Sequence, residues 1–167
     1  MFKKTGSLDP HGAQVLKKII ITGSVVTTIG DSVQASSGLM ALGTAGSLVL
    51  GHVNSIVDKN GLPILDNGAG ADFTNTYTAA STNATVAMVA AMVDVSKFSQ
   101  YSADPDATIG TTTGSNLLGY HTDIVDEDNT DESSAVTTTA QYTIWGVDPA
   151  DSGNQIVSVY ESQVFGV

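Results

Sequence analysis

The chain has 167 residues, a formal charge of −11, and neither cysteine nor arginine. That length fits one domain, and the missing cysteine excludes disulfides, thiolate metal sites and cysteine nucleophiles. Without arginine, and with an acidic surplus that repels phosphate, sequence-specific nucleic-acid binding is not expected.

Twenty Thr, 18 Val, 17 Ser and 17 Gly stand against 10 Leu and 3 Glu, so β-branched residues and turn formers outweigh helix formers. The composition predicts an all-β fold: a compact sandwich or small barrel of short antiparallel strands with an extended N-terminal arm. The arm is expected over residues 1–16 and a single β domain over 17–167. Charge is unevenly spread. Residues 1–97 balance six Lys against six Asp, whereas 98–167 hold eleven acids and no Lys or Arg.

In chain order, residues 1–16 are punctuated by Gly6, Pro10 and Gly12 and show no period of 2 or 3.6. Either a disordered terminus or an arm docking on a partner fits them. Ile19–Thr22 and Val25–Ile29 read as strands. The three isoleucines after Lys17 and Lys18 stop at Thr22-Gly23, too short for a secretion signal or a membrane span. Ser47–Val57 is apolar on both alternating faces, as in a strand covered on two sides, and His52 lies on one of them. Asp58-Lys59-Asn60-Gly61 predicts a hairpin turn, and Asp66-Asn67-Gly68 a second one after Leu62–Leu65. Thr74–Ala80 reads as a strand. Thr85–Val95 has Met88 and Met92 at helical spacing but also alternates like a strand; its Thr- and Asn-rich flanks favour strand. A long connection, 101–119, precedes a strand over Gly119–Val125. Val136–Val147 and Gln155–Phe165 form a closing strand pair joined by 148–154.

Motifs of catalysis are sparse. His11, His52 and His121 have no metal-ligand spacing, and His52 reads as a core or interface histidine. A Gly-x-Ser-x-Gly elbow does not occur; Gly43-Thr44-Ala45-Gly46-Ser47 lacks the lysine of a phosphate loop, and Gly68-Ala69-Gly70 falls short of a dinucleotide fingerprint. Asp104 with Asp106, or Asp123 with Asp126, would have to serve as any glycosidic acid and base, but carboxylates in polar loops are ordinarily just hydrated. Asp126 to Glu132 offers hard oxygen ligands for calcium without the spacing of an EF-hand, so a solvated acidic loop is the favoured reading. Asn83-Ala84-Thr85 matches a glycosylation acceptor but carries no weight here. The expectation is a protein that is not an enzyme, with no cofactor, no assigned metal, and no nucleic-acid or membrane partner.

A Gly-, Thr- and Val-rich β domain without cysteine, behind a charged leading segment, resembles the decoration or cement proteins of tailed-bacteriophage capsids. The likeness extends over residues 17–167. It includes the strand-plus-loop passage Tyr101 to Gly110 and the closing strand Val157 to Phe165. The resemblance implies a virion structural protein on the outer capsid surface, a homotrimer that clamps neighbouring major capsid protein subunits against internal pressure. Multivalent attachment to a lattice gives such a protein avidity from modest single contacts. Lys3, Lys4, Lys17 and Lys18 are then the residues expected to reach the capsid. The alternative is a glycan- or receptor-binding β module of a phage fibre or surface structure, gripping its ligand with Tyr101, Tyr120 and Trp145. A hydrolase using Asp104 or Asp123 is a third class.

Overall fold

A computed structural model describes residues 2–8, 14–64, 75–106, 118–131 and 141–160. Within them every regular element is a strand: β1 (Lys3–Ser7), β2 (Leu16–Ile20), β3 (Val26–Thr28), β4 (Ser32–Ser36), β5 (Leu39–Leu42), β6 (Gly51–Val57), β7 (Thr76–Thr78), β8 (Ala90–Asp94), β9 (Ser99–Pro105), β10 (His121–Thr122), β11 (Asn129–Thr130), β12 (Tyr142–Asp148) and β13 (Asp151–Val159). The all-β expectation holds.

The strands form two principal sheets. One runs β1-β9-β13-β12-β10, with β11 added beside β9; the other runs β2-β8-β6-β4-β5. A parallel bridge from Ile21 to Met40, reinforced by the Thr22 N–H donating to the Met40 carbonyl at 2.9 Å, brings the two ends of the second sheet together. That sheet therefore curls on itself like a small barrel. The β3–β7 ribbon is a separate pair.

This curling gives the molecule two apolar cores. Ile21, Val33, Met40, Val53, Ile56, Ala91 and Val93 fill the curled sheet. Phe2, Val49, Tyr101, Ala103, Ile124, Tyr142, Ile144, Val157 and Val159 form the other. The two faces of β6 explain why both exist. Val53 and Ile56, three apart, both point into the curled sheet because a bulge between Val53 and Ser55 shifts the alternation, while His52 meets the aromatic side chains of the second core. The strand begins at Gly51 rather than at Ser47 but is covered on both faces as expected.

Several elements differ from expectation. The described part of the stretch expected as an arm belongs to the sheets: Lys3–Ser7 pairs antiparallel with β9 and Phe2 is buried in a core. Two ring neighbours of Phe2, His52 and Tyr142, and a free sheet edge make that position more favourable than solvent. Thr85–Val95 is strand only from Ala90; residues 81–87 are turns, and Met88 sits at φ +52°. Buried Asn83 dictates the difference. Its side chain donates to the carbonyls of Ile21 (2.7 Å) and Val89 (2.9 Å) and accepts from the Val89 N–H (3.0 Å), so the turn is tied to the rim of the curled sheet. The same bonds enclose the glycosylation-type asparagine.

The β4–β5 hairpin was not anticipated. Its two-residue turn is Ser37-Gly38, both at positive φ, as a type I′ turn requires, with serine where asparagine is customary. The Asn60-Gly61 turn forms as predicted, with Gly61 at φ +87° and its N–H donating to the Asp58 carbonyl. The closing pair is also present, but β13 begins at Asp151, so Pro149-Ala150 makes a tight turn where a longer loop was expected. Between 119 and 125 the strand shrinks to His121–Thr122 plus a bridge at Ile124. The turn at 66–68, the Thr111–Gly114 run, residues 132–140 and the end of the chain after Tyr160 lie outside the described residues.

Gly51 sets the spacing between β6 and β8. Its φ is +153°, and a Cβ there would overlap the carbonyl oxygen of Asp94. Gly51→Ala is expected to lower stability by roughly 1–3 kcal/mol in urea denaturation. A change smaller than the error of that measurement would show that the two strands can separate without cost.

Candidate functional site

Charged and polar side chains converge where the two cores meet. Asp94, the last residue of β8, is 2 % exposed. Its Oδ2 accepts hydrogen bonds from Lys4 Nζ (3.0 Å), Gln14 Nε2 (3.0 Å), Ser99 Oγ (2.8 Å) and Tyr101 OH (3.0 Å), and its Oδ1 accepts from the Ser96 N–H (3.1 Å). Burial alone would raise its pKa; the donors from Ser99, Gln14, Ser96 and Lys4 outweigh it and hold the carboxyl below the usual range. Lys4 lies on β1 and Tyr101 on β9, so one carboxylate clamps an edge of the first sheet to the second.

His52 stands opposite Asp94 in the β6–β8 register. Its ring packs 3.9 Å from that of Tyr101 and 4.6 Å from Phe2, centroid to centroid. Its Nε2 shares a hydrogen bond with Tyr142 OH at 2.9 Å, and that hydroxyl shares another with Ser32 Oγ at 2.8 Å. Tyr142 belongs to β12 and Ser32 to β4, so this chain also crosses between the sheets. Burial pushes the imidazole down to about 3, against a smaller upward pull from Asp94. It is therefore neutral across the physiological range. Whichever nitrogen holds the proton, Nδ1 has no hydrogen-bond partner among the described residues.

A cleft of about 340 Å³ opens beside this cluster, bounded by Phe2, Lys4, Gln14, His52, Asp94 and Tyr101 among others. Its chemistry is limited by the bonds just described. The imidazole is far too acidic to serve as a base near neutrality, the carboxylate is saturated with donors, and burial raises the Tyr101 hydroxyl well above its ordinary value. These groups act as cross-links.

A second polar cluster joins the turn before β4 to the acidic loop. The Ser32 N–H donates to the Glu127 carbonyl at 2.9 Å. Asp31 is buried, and its Oδ2 accepts from the Thr28 N–H at 2.7 Å while Oδ1 has no donor. Burial, with the neighbouring carboxyls of Asp128 and Glu127, raises Asp31 to about 7 despite the Thr28 bond. Among the described residues no group of three or more His, Asp or Glu side chains gathers as a metal shell.

The residues picked out by sequence are distributed as follows. Lys3 and Lys4 lie on β1 and Lys17 and Lys18 on β2, each strand an edge of its sheet. Lys4 is bonded to Asp94, Lys18 Nζ donates to the Lys59 carbonyl at 2.6 Å, and Lys3 adds a small contribution to the lowered pKa of Asp148, which the Ser102 hydroxyl chiefly sets. Tyr101 is buried, whereas Tyr120 and Trp145 are partly exposed. Asp104 and Asp106 are exposed on and beyond the end of β9. Asp123 accepts from the Gln141 N–H and Asp126 caps the N–H groups of Asp128 and Asn129, so each serves a separate piece of backbone and they do not form an acid–base pair. Sequence reasoning missed Asp94 and Asp31. The signal for Asp94 was available: a lone acid inside the apolar run Ala90-Ala91-Met92-Val93-Asp94-Val95 must find donors.

Two outcomes are expected. Tyr142→Phe, which strips a partner from both His52 and Ser32, should cost roughly 1–3 kcal/mol in chemical denaturation. The folded-state pKa of His52 lies below its unfolded value of 6.5, so its unprotonated form supports the fold above pH 6.5 and that support is lost as pH falls toward about 3. Asp31 shifts in the opposite direction, so the informative quantity is the stability of the wild type minus that of His52→Gln. That difference should fall by about 1.4 kcal/mol per pH unit below 6.5. A difference independent of pH would mean that the imidazole is accessible to protons in the folded protein.

Comparison of the chain with family models, with curated proteins and with solved structures finds no match, so what this cluster does is argued from its own geometry.

Proposed function

We propose that this protein is a structural component of a virion: a decoration, or cement, protein on the outer surface of a tailed-phage capsid, acting as a homotrimer that bridges major capsid protein subunits. The observation that carries this reading is the use made of the reactive side chains. Asp94, His52, Tyr101 and Tyr142, the groups most suited to chemistry, are engaged in bonds that brace one sheet against the other. Bracing of that kind suits a protein that must bear load while bound.

An attachment surface is available at the open edges. β2 carries Lys17 and Lys18 beside Leu16, and the preceding Val15 is also largely exposed; Leu8 and Phe98, joined by a backbone hydrogen bond, are exposed as well. Apolar residues beside lysines on an unpaired edge fit an acidic lattice neighbour, or a second copy of the chain. The same lysines also discourage unwanted edge pairing in an isolated protein.

The glycan- or receptor-binding reading keeps one specific support. A groove of about 260 Å³ is lined by Phe98, Trp145 and Tyr160 with Lys97, Thr143 and Ser158, an aromatic surface bordered by polar groups. Binding to a glycan array, lost in Trp145→Ala, would favour it over the capsid reading.

Truncation of residues 1–16 is a poor test of attachment, because it removes Phe2 and Lys4 from the folded structure. Charge reversal is cleaner. The wild type should co-sediment with emptied, expanded capsids built from the major capsid protein of the same virus. Its native mass should be three times 17.1 kDa. The Lys3→Glu, Lys17→Glu, Lys18→Glu triple variant should bind at least about tenfold more weakly, with a reduced dependence on salt. A monomer that ignores such capsids would overturn the proposal, and a triple variant that binds like wild type would overturn the role of the lysines.

A further inference from the structure

The junction between Asp31 and the acidic loop contains a buried ligand atom with no partner. Asp31 is 2 % exposed, its Oδ2 is taken by the Thr28 N–H, and its Oδ1 accepts nothing among the described residues. The Ser32 N–H bond to the Glu127 carbonyl brings the acidic loop beside it, and after burial itself the charges of Asp128 and Glu127 act to raise the Asp31 pKa. Burial of a carboxylate ordinarily demands donors or a cation, and the Thr28 N–H is the single donor to Asp31 among the described residues.

The loop is shaped to keep these acids in place. Asp126 Oδ1 accepts from the N–H groups of Asp128 and Asn129, both at 2.9 Å, and the Glu127 carbonyl is held by the Ser32 N–H. Asp126, which the sequence offered as a calcium ligand, is thereby occupied in shaping the turn. Asp31, 97 positions earlier in the chain than Asp128, takes its place.

We propose that Asp31 and Asp128 bind a calcium ion at this junction, with Glu127 adding charge and with backbone carbonyl oxygens and water completing the shell. Hard oxygen ligands without a histidine or a thiolate select calcium or magnesium over zinc or copper. Irregular loop geometry suits calcium, whose coordination is flexible, better than magnesium, which demands a near-ideal octahedron. Two carboxylates make a site of modest affinity, with a dissociation constant on the order of 10⁻⁴ M. Calcium here would fasten the loop before β11 to the turn before β4, adding an ionic link between the two sheets. The inference does not depend on the capsid reading.

The test uses the full chain, stripped with a chelator and returned to metal-free buffer at constant ionic strength, so that general screening of the acidic surface is held fixed. Calcium chloride at 10 mM should raise the melting temperature by roughly 5–10 °C, saturably. Magnesium at the same concentration should give less than half of that shift. Asp31→Asn should abolish the calcium-dependent rise, whereas Asp106→Asn, which changes net charge equally at an exposed position, should retain it. Calorimetric titration of the wild type with calcium supplies a readout that does not require the variant to fold, and Asp128→Asn a second variant. No saturable calcium binding to the wild type, or binding undiminished in both Asp31→Asn and Asp128→Asn, would overturn the proposal.

Discussion

A buried carboxylate at the junction of two sheets constrains the rest of this structure. Asp94 keeps its charge because donors from Lys4, Gln14, Ser96, Ser99 and Tyr101 replace water around it. An unpaired charge at that depth would cost several kcal/mol, so the chain must gather all of those segments to the end of β8. That requirement places β1 beside β9 and brings Phe2 into a core. It also makes the short connection between β8 and β9 the corner at which one sheet gives way to the other.

The two cores would otherwise be separable. The curled sheet buries its own interior, and β9, β12 and β13 bury another with Phe2 and Ile124. Between them lie aromatic and polar groups: His52 against Tyr101 and Phe2, and Tyr142 hydrogen-bonded to both His52 and Ser32. Gln141 extends the link, donating to the carbonyls of Thr44 and Ser47 while accepting from the Ile124 N–H. A polar seam gives up some of the stability an apolar contact would supply and gains orientation, because hydrogen bonds fix the angle and register of the sheets where apolar packing tolerates sliding.

How much of this was legible in the sequence depends on the range of the interactions involved. Fold class followed from abundant Thr, Val, Ser and Gly. The covering of β6 on both faces followed from the apolar alternations of Ser47–Val57, of which the strand keeps Gly51–Val57, and the turn at Asn60-Gly61 from its dipeptide. Each of these is local. The β4–β5 hairpin escaped because Ser37 stands where asparagine would have announced the turn, and the shortening of β8 escaped because Asn83 acts through bonds to Ile21, distant in sequence. Asp94 and His52 are 42 positions apart, and nothing local indicates that they face each other; only pairing of β6 with β8 does so. The leading segment was misjudged for the same reason. Its partner strand β9 lies about a hundred residues downstream, and its own lysines looked like those of a free arm.

A seam of hydrogen bonds and ring contacts between two sheets should make them open together. Native-state hydrogen exchange measures this directly, comparing amides of β6 and β8 in the curled sheet with those of β9, β12 and β13 across the seam. If the seam joins the sheets into one cooperative unit, the most protected amides on both sides should exchange with the same opening free energy, equal to that of global unfolding. Protection that is distinctly weaker on one side would contradict the account, showing two units merely in contact.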